Sequence, residues 1–158
     1  MKTTIRRSRN SDAPSLAECQ REAARQSLQP IYGEEPISYW IERITAQKFL
    51  DTAEEIYVCE QQGEVVGFSS ADLTEGVLGM WYVHPDHHGQ GIGKLLLAKA
   101  EARLWEVGFT SISTYASQHA EPRFEKLGWR TEERVDRKLG PHLFPVAKMV
   151  KLRSEDLE

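Results

Sequence analysis

Three glycines at alternate positions, Gly89, Gly91 and Gly93, stand in the run HHGQGIGKLLL (residues 87–97). The stretch before them, GVLGMWYVHP, has strand composition. The stretch after them, GIGKLLLAKAEARLWEVG, predicts a helix with Ile92, Leu95, Leu96, Ala100 and Leu104 along one stripe. A strand-to-helix junction gathers unpaired backbone N–H groups and the positive end of the helix dipole at one spot, which favours an anion. Glycines there let a phosphate approach the main chain with no Cβ in the way. Two well-known nucleotide loops fail on spacing. A P-loop would need a glycine at His88 and a hydroxyl at Leu95, and a dinucleotide fingerprint starting at Gly91 would need its third glycine at Leu96. The run is read as an anion cradle of another kind.

His84, His87 and His88 could suggest a metal. The H-x-x-H-H spacing falls in a loop rather than on one helix face, and only Asp86 joins it, so no metal site is expected. Cys19 and Cys59 are too few and too far apart for a disulfide scaffold and are read as two reduced, partly buried thiols.

The elements that must position the loop follow from periodicity. TTIRR reads as a first strand, with Arg6, Arg7 and Arg9 at an exposed end. SDAPSLAECQREAARQSL offers Ser11 or Asp12 as N-cap and Pro14 in the first turn of a helix; QPIYGEEP breaks it, and ISYWIERITAQKFL restores helical spacing. EIYVCE, EVVGFSSADL and GVLGMWYVHP then form a β meander. After the long helix, TSISTYAS is a strand, AEPRFEKLG a short helix, and WRTEERVDRK and LFPVAKMVKL final strands. The order β-α-α-β-β-β-α-β-α-β-β places a crossover around the long helix, so its two flanking strands should run parallel.

At 158 residues the chain is expected to form one domain, 1–158, with room for a real core. A net charge of −4 supplies no basic field, which argues against nucleic acid as a partner. No apolar stretch approaches the roughly 20 residues of a membrane span, and MKTTIRRSRN has no apolar signal region, so a cytoplasmic protein is expected.

WYVHPDHHGQGIGKLLL resembles the acetyl-CoA loop of the GNAT-type N-acetyltransferases, Q/R-x-x-G-x-G/A after a strand ending in V-x-P. Pro85, Gly89, Gly91 and Gly93 match, and His88 stands where Gln or Arg is usual. ASQHAEPRFEKLGW resembles the second family signature, N-x-x-A-x-x-x-Y-E-K-L-G-F, and more closely a branch carrying A-S-x-x-A-x-P-x-F-E-K-x-G-F. The resemblance covers nearly the whole chain. It implies a mixed, mostly antiparallel α/β sheet of about seven strands with four helices, whose fourth and fifth strands splay apart.

It further implies acetyl-CoA as cosubstrate and a primary amine of a small molecule or peptide as acceptor, in a monomer or homodimer. Backbone groups of Trp81, Tyr82 and Val83 would pair with pantetheine, and the loop His88, Gly89, Gln90, Gly91, Ile92, Gly93 and Lys94 would hold the diphosphate. Ser117 stands at the asparagine that binds the cofactor, and Phe124 at the tyrosine that serves as acid. Phenylalanine cannot protonate a thiolate, so Tyr115, Ser117 or a water would do so. Relatives often carry an acid two residues before the triplet Trp81–Val83; here that position is Gly79. Glu75, Asp72 and His84, with His87 behind them, are the candidates for the base. Tyr32, Tyr39 and Trp40 fall where the fold builds its acceptor pocket, Tyr32 being the best placed, with Glu34 and Glu35 suited to a cationic amine. The alternative reading is a non-catalytic coenzyme A-binding module of the same fold.

Overall fold

In the computed structural model, which describes residues 3–154, seven strands form one sheet in the order β1-β2-β3-β4-β5-β7-β6. They are β1 (Thr3–Arg7), β2 (Glu55–Gln61), β3 (Glu64–Asp72), β4 (Val77–Val83), β5 (Ser111–Ala116), β6 (Arg130–Leu139) and β7 (His142–Leu152). Every neighbouring pair is antiparallel except β4 and β5, which run parallel and meet only at Val77 opposite Ser113. The expected parallel pair and splay are both present. From Leu78 onward the side of β4 facing β5 has no ladder partner.

Six helices surround the sheet: α1 (Ala13–Ala23), α2 (Gln29–Tyr32), α3 (Glu34–Ile41), α4 (Ala46–Asp51), α5 (Ile92–Glu106) and α6 (Glu121–Lys126). Four helices were expected, and the difference lies in residues 24–51. QPIYGEEP breaks the chain only at Gly33, because Pro30 and Pro36 sit in first turns, where a missing N–H costs nothing. A π-helical turn, Ala24–Leu28, carries α1 into α2. The run from Ile37 splits before α4, where Thr45 is extended.

Alternation along β2 divides the core. Ile56 and Val58 pack with Leu16 and Cys19 of α1, whereas Tyr57 and Cys59 face the α5 side with Leu96, Leu97 and Leu104. Both cysteines are buried free thiols. The buried stripe of α5 runs through Ile92, Leu96, Leu97, Ala100 and Leu104; Leu95, expected on it, is half exposed. In a run of three leucines periodicity cannot select the two that face inward.

Of the three N-terminal arginines, Arg7 and Arg9 are exposed as expected and Arg6 is partly buried. Arg6 donates to both oxygens of Asp12, at 2.9 and 3.0 Å, and to Glu60 at 2.8 Å. Asp12 precedes α1 and also accepts the Arg9 N–H at 2.7 Å. These donors, Arg6 foremost, hold the Asp12 carboxyl below its ordinary 3.8. A lowered folded-state pKa contributes stability that is present above the unfolded value and lost as pH falls through the folded one. Asp12→Asn is therefore expected to cost about 1–3 kcal/mol in urea unfolding at pH 7. The deficit should shrink as pH falls below the unfolded value of about 3.9 and vanish only below the lowered folded-state pKa, where the wild-type carboxylate is protonated too.

Candidate functional site

The loop Pro85–Gly91 leaves β4 and enters α5 with Gly91 in the left-handed region, φ +76°. The first helical hydrogen bond runs from the Leu95 N–H to the Gly91 carbonyl at 3.2 Å, so Ile92, Gly93 and Lys94 have no helical carbonyl for their N–H groups. No side chain caps this end. The cavity over it is lined by Gly89, Gly91, Gly93 and Lys94, and also by Arg123 and Lys126 of α6. Backbone donors, a helix dipole and three cations converge there, an arrangement built for a multiply charged anion.

The loop is anchored from below. Trp81 donates its indole N–H to the Gly93 carbonyl at 2.7 Å and packs on Phe124 at 4.7 Å between ring centres. The His88 ring donates from Nε2 to the Val83 carbonyl at 3.0 Å, so this residue ties loop to strand. Gln90 turns away: its side-chain oxygen accepts from Gln61 at 3.0 Å. Ile92 buries its side chain in the core, leaving only backbone for a ligand.

The gap between β4 and β5 opens into a cavity of about 380 Å³. Gly79, Trp81 and Tyr82 form its β4 wall, Tyr115 and Ser117 its β5 wall, and Tyr32, Trp40 and Phe144 its far side. Ser117 Oγ accepts the Ala120 N–H at 3.1 Å, which leaves the hydroxyl proton free to donate into the cavity. Tyr115 is 43% exposed, with the Arg137 guanidinium 4.6 Å above its ring. Tyr32 donates to the Pro145 carbonyl at 2.8 Å and accepts the Gln118 N–H at 2.9 Å, so its hydroxyl pins α2 to β7 and to the end of β5. Burial pushes the Tyr32 hydroxyl above its ordinary value of 10.0.

Several expected residues are not brought to this cavity. Glu75 is exposed in the β3–β4 turn, where its N–H bonds to Asp72 Oδ1 at 3.0 Å, and neither acid lines the cavity. Turn chemistry explains both: Asp72 accepts from Thr74 and Glu75 to close the turn, at the end of β4 remote from the loop. His84 lies on the opposite face of the sheet beside Pro14 and Glu18 of α1, its Nδ1 accepting the Asp86 N–H at 3.2 Å. His87 lines the anion cavity, and no group of three metal-ligating side chains occurs among the described residues. Glu34 and Glu35 occupy the first turn of α3, exposed and outside the cavity. Phe124 does line the cavity, but it is 2% exposed and packed between Trp81 and Trp129.

Other residues enter without warning from the sequence. Arg123 and Lys126 belong to the second motif, yet only the fold of α6 beside the loop brings them to the same cavity. Glu54, just before β2, reaches the space beside Gly79. It accepts from the Ser70 hydroxyl at 2.6 Å, and Ser70 Oγ accepts the Met80 N–H at 2.8 Å. The signal that could have found it is the missing side chain at Gly79.

Comparison with known proteins gives a consistent picture. The profile of an acetyltransferase (GNAT) domain matches residues 18–150. A crystal structure from Rhodopseudomonas palustris, described as a GCN5-related N-acetyltransferase and class-II aminotransferase, superposes with TM-score 0.91 at 24% identity, covering 97% of each chain. The PaiA N-acetyltransferase of Thermoplasma acidophilum, in complex with coenzyme A, gives 0.79 at 23% identity over 97% of this chain and 100% of the other. A phosphinothricin acetyltransferase of Sinorhizobium meliloti, in complex with acetyl-CoA, gives 0.69 at 20% identity over 98% and 90%. No curated protein sequence matches this chain.

Proposed function

The chain belongs to the acetyltransferase (GNAT) family, and from that premise we propose that it is an N-acetyltransferase moving the acetyl group of acetyl-CoA to a primary amine in a ternary complex. The observation that carries the reading is the continuity of two features on β4. An anion cradle stands at the end of the strand, and an unpaired strand edge leads from it into a cavity lined by both splayed strands.

The residues present suit this cosubstrate. The N–H groups of the loop, with Lys94, Arg123 and Lys126, take the diphosphate. The main chain of Trp81, Tyr82 and Val83 pairs with the pantetheine amides along the open edge, which puts the thioester beside Gly79. Proximity of amine and thioester, and a carbonyl polarised by backbone donors, supply much of the acceleration. The thiol, with an unperturbed pKa of about 8.5, is a good leaving group. Ser117 and Tyr115, on the β5 wall, are placed to return a proton to it.

The acceptor enters from the side of Tyr32 and Trp40 and carries a primary amine. One domain spanning 1–158, acting as a monomer or homodimer in the cytoplasm without nucleic acid, fits this reading. No helix among the described residues is long and apolar enough to cross a membrane.

Calorimetric titration with acetyl-CoA, followed by thiol release on a panel of amines, polyamines, aminoglycosides and peptides, tests the proposal. Binding with amine-dependent thiol release is the expected result. Binding without release would favour a coenzyme A-binding module, and absence of binding at millimolar concentration would sink both readings.

A further inference from the structure

Gly79 leaves β4 without a side chain at the wall of the cavity, and another segment fills the space. A Cβ placed on Gly79 would land on Glu54 Oε1 and lie 2.8 Å from Ser70 Oγ. The strand register makes room for this. Ser69 stands opposite Trp81 and Ala71 opposite Leu78, so Ser70 alone faces both Gly79 and Met80. Such a bulge takes the Met80 N–H out of the ladder and aims it at the Ser70 hydroxyl.

The Met80 N–H can only donate, so Ser70 Oγ accepts there and gives its own proton to Glu54. One Glu54 oxygen is thus taken up as an acceptor, and the other is left for a second partner. Among the described residues it has no cationic partner, only the Ser70 hydroxyl. It lines a cavity under α4 that shares Trp40 with the cavity between β4 and β5. Lys48 and Asp51 of α4 line that cavity too, but neither is within ion-pair or hydrogen-bond distance of Glu54, so the carboxylate keeps one oxygen able to meet an ammonium ion.

We infer that Glu54 is the general base that receives the acceptor amine, delivered from the segment before β2 into the place of a β4 side chain. The inference rests on acetyl transfer as proposed above. The acceptor arrives as an ammonium ion and loses a proton to the Glu54 carboxylate, directly or through one water. The amine lone pair then forms the N–C bond at the acetyl carbonyl carbon. The C–S bond breaks with its electron pair on sulfur, the nitrogen gives up its second proton as the amide forms, and the thiolate takes up a proton in exchange. In sum, ammonium and acetyl-CoA give the acetamide, the coenzyme thiol and one released proton. Ser70 acts as a positioning residue for the carboxylate.

Glu54→Gln keeps the shape and removes the charge. Acetyl-CoA affinity and thermal midpoint should hold, while kcat/KM for an amine that the wild type accepts falls about 100-fold. The double variant E54A/G79E moves the carboxylate onto β4 and removes the overlap with Glu54, leaving only the Ser70 hydroxyl, 2.8 Å from the new Cβ, to shift. It should recover at least about a tenth of the wild-type kcat/KM, which a merely structural Glu54 would not give. Wild-type turnover that Glu54→Gln leaves unchanged overturns this inference and leaves acetyl transfer standing. A wild type that releases no thiol with any amine in the panel brings down both. If E54A/G79E stays as inactive as E54A while still binding acetyl-CoA, the place assigned to the carboxylate is wrong.

Discussion

Gly91→Asp weakens acetyl-CoA binding about a thousandfold while the chain still folds. Gly91 is the residue before α5, at φ +76°, and a Cβ there meets no protein atom within 4 Å. The protein thus has room for the side chain, and the space belongs to the ligand. Aspartate tolerates the left-handed region better than most residues, so the folding cost stays near about 1 kcal/mol. Its carboxylate stands against the diphosphate; two unit charges about 4 Å apart at an effective dielectric near 20 repel by about 4 kcal/mol. That is close to three decades in Kd. Gly91→Asn separates charge from strain, since it keeps backbone and size but carries no charge, and should lose no more than about tenfold. Calorimetric Kd values for the two variants decide the matter. Equal losses would mean that the glycine serves only the backbone turn.

Phe124→Ala is expected to remove about 3–5 kcal/mol of stability. The ring is 2% exposed, 4.7 Å from Trp81 and 5.2 Å from Trp129 between ring centres. Truncation loses the buried area and leaves a cavity in an aromatic stack that cannot collapse without moving two indoles. For a chain of this size the midpoint should fall by roughly 6–20 °C. The effect reaches the site, because Trp81 carries the 2.7 Å bond to the Gly93 carbonyl. Weaker acetyl-CoA binding should therefore accompany the lower midpoint. A loss below about 1 kcal/mol would show that Phe124 is a surface of the cavity rather than part of the core.

The glycine loop at the start of α5 was legible in the sequence, and the pairing of Glu54 with Gly79 was not. Gly89, Gly91 and Gly93 announce a strand-to-helix anion loop because the chemistry there is main-chain chemistry, governed by neighbours one to four residues away. The same locality made the crossover and the final strands readable. Glu75 and His84 were attractive for their closeness in sequence to β4, yet the structure turns one into a tight turn and the other to the far face of the sheet. Two steps along a strand reverse nothing, but one step changes the face, and a bulge changes the count.

What the sequence determined by itself is the order of the strands, the parallel crossover, the glycine loop and the family those motifs carry. These rest on periodicity and on backbone conformations that a few adjacent residues impose. The tertiary structure alone decided that Arg123 and Lys126 join the cradle, that Phe124 is held between two tryptophans, and that Glu54 fills the space Gly79 leaves. Each of those pairings joins segments that periodicity treats as unrelated. They are fixed by strand register and by the packing of helices on opposite faces of the sheet, quantities that no local pattern encodes.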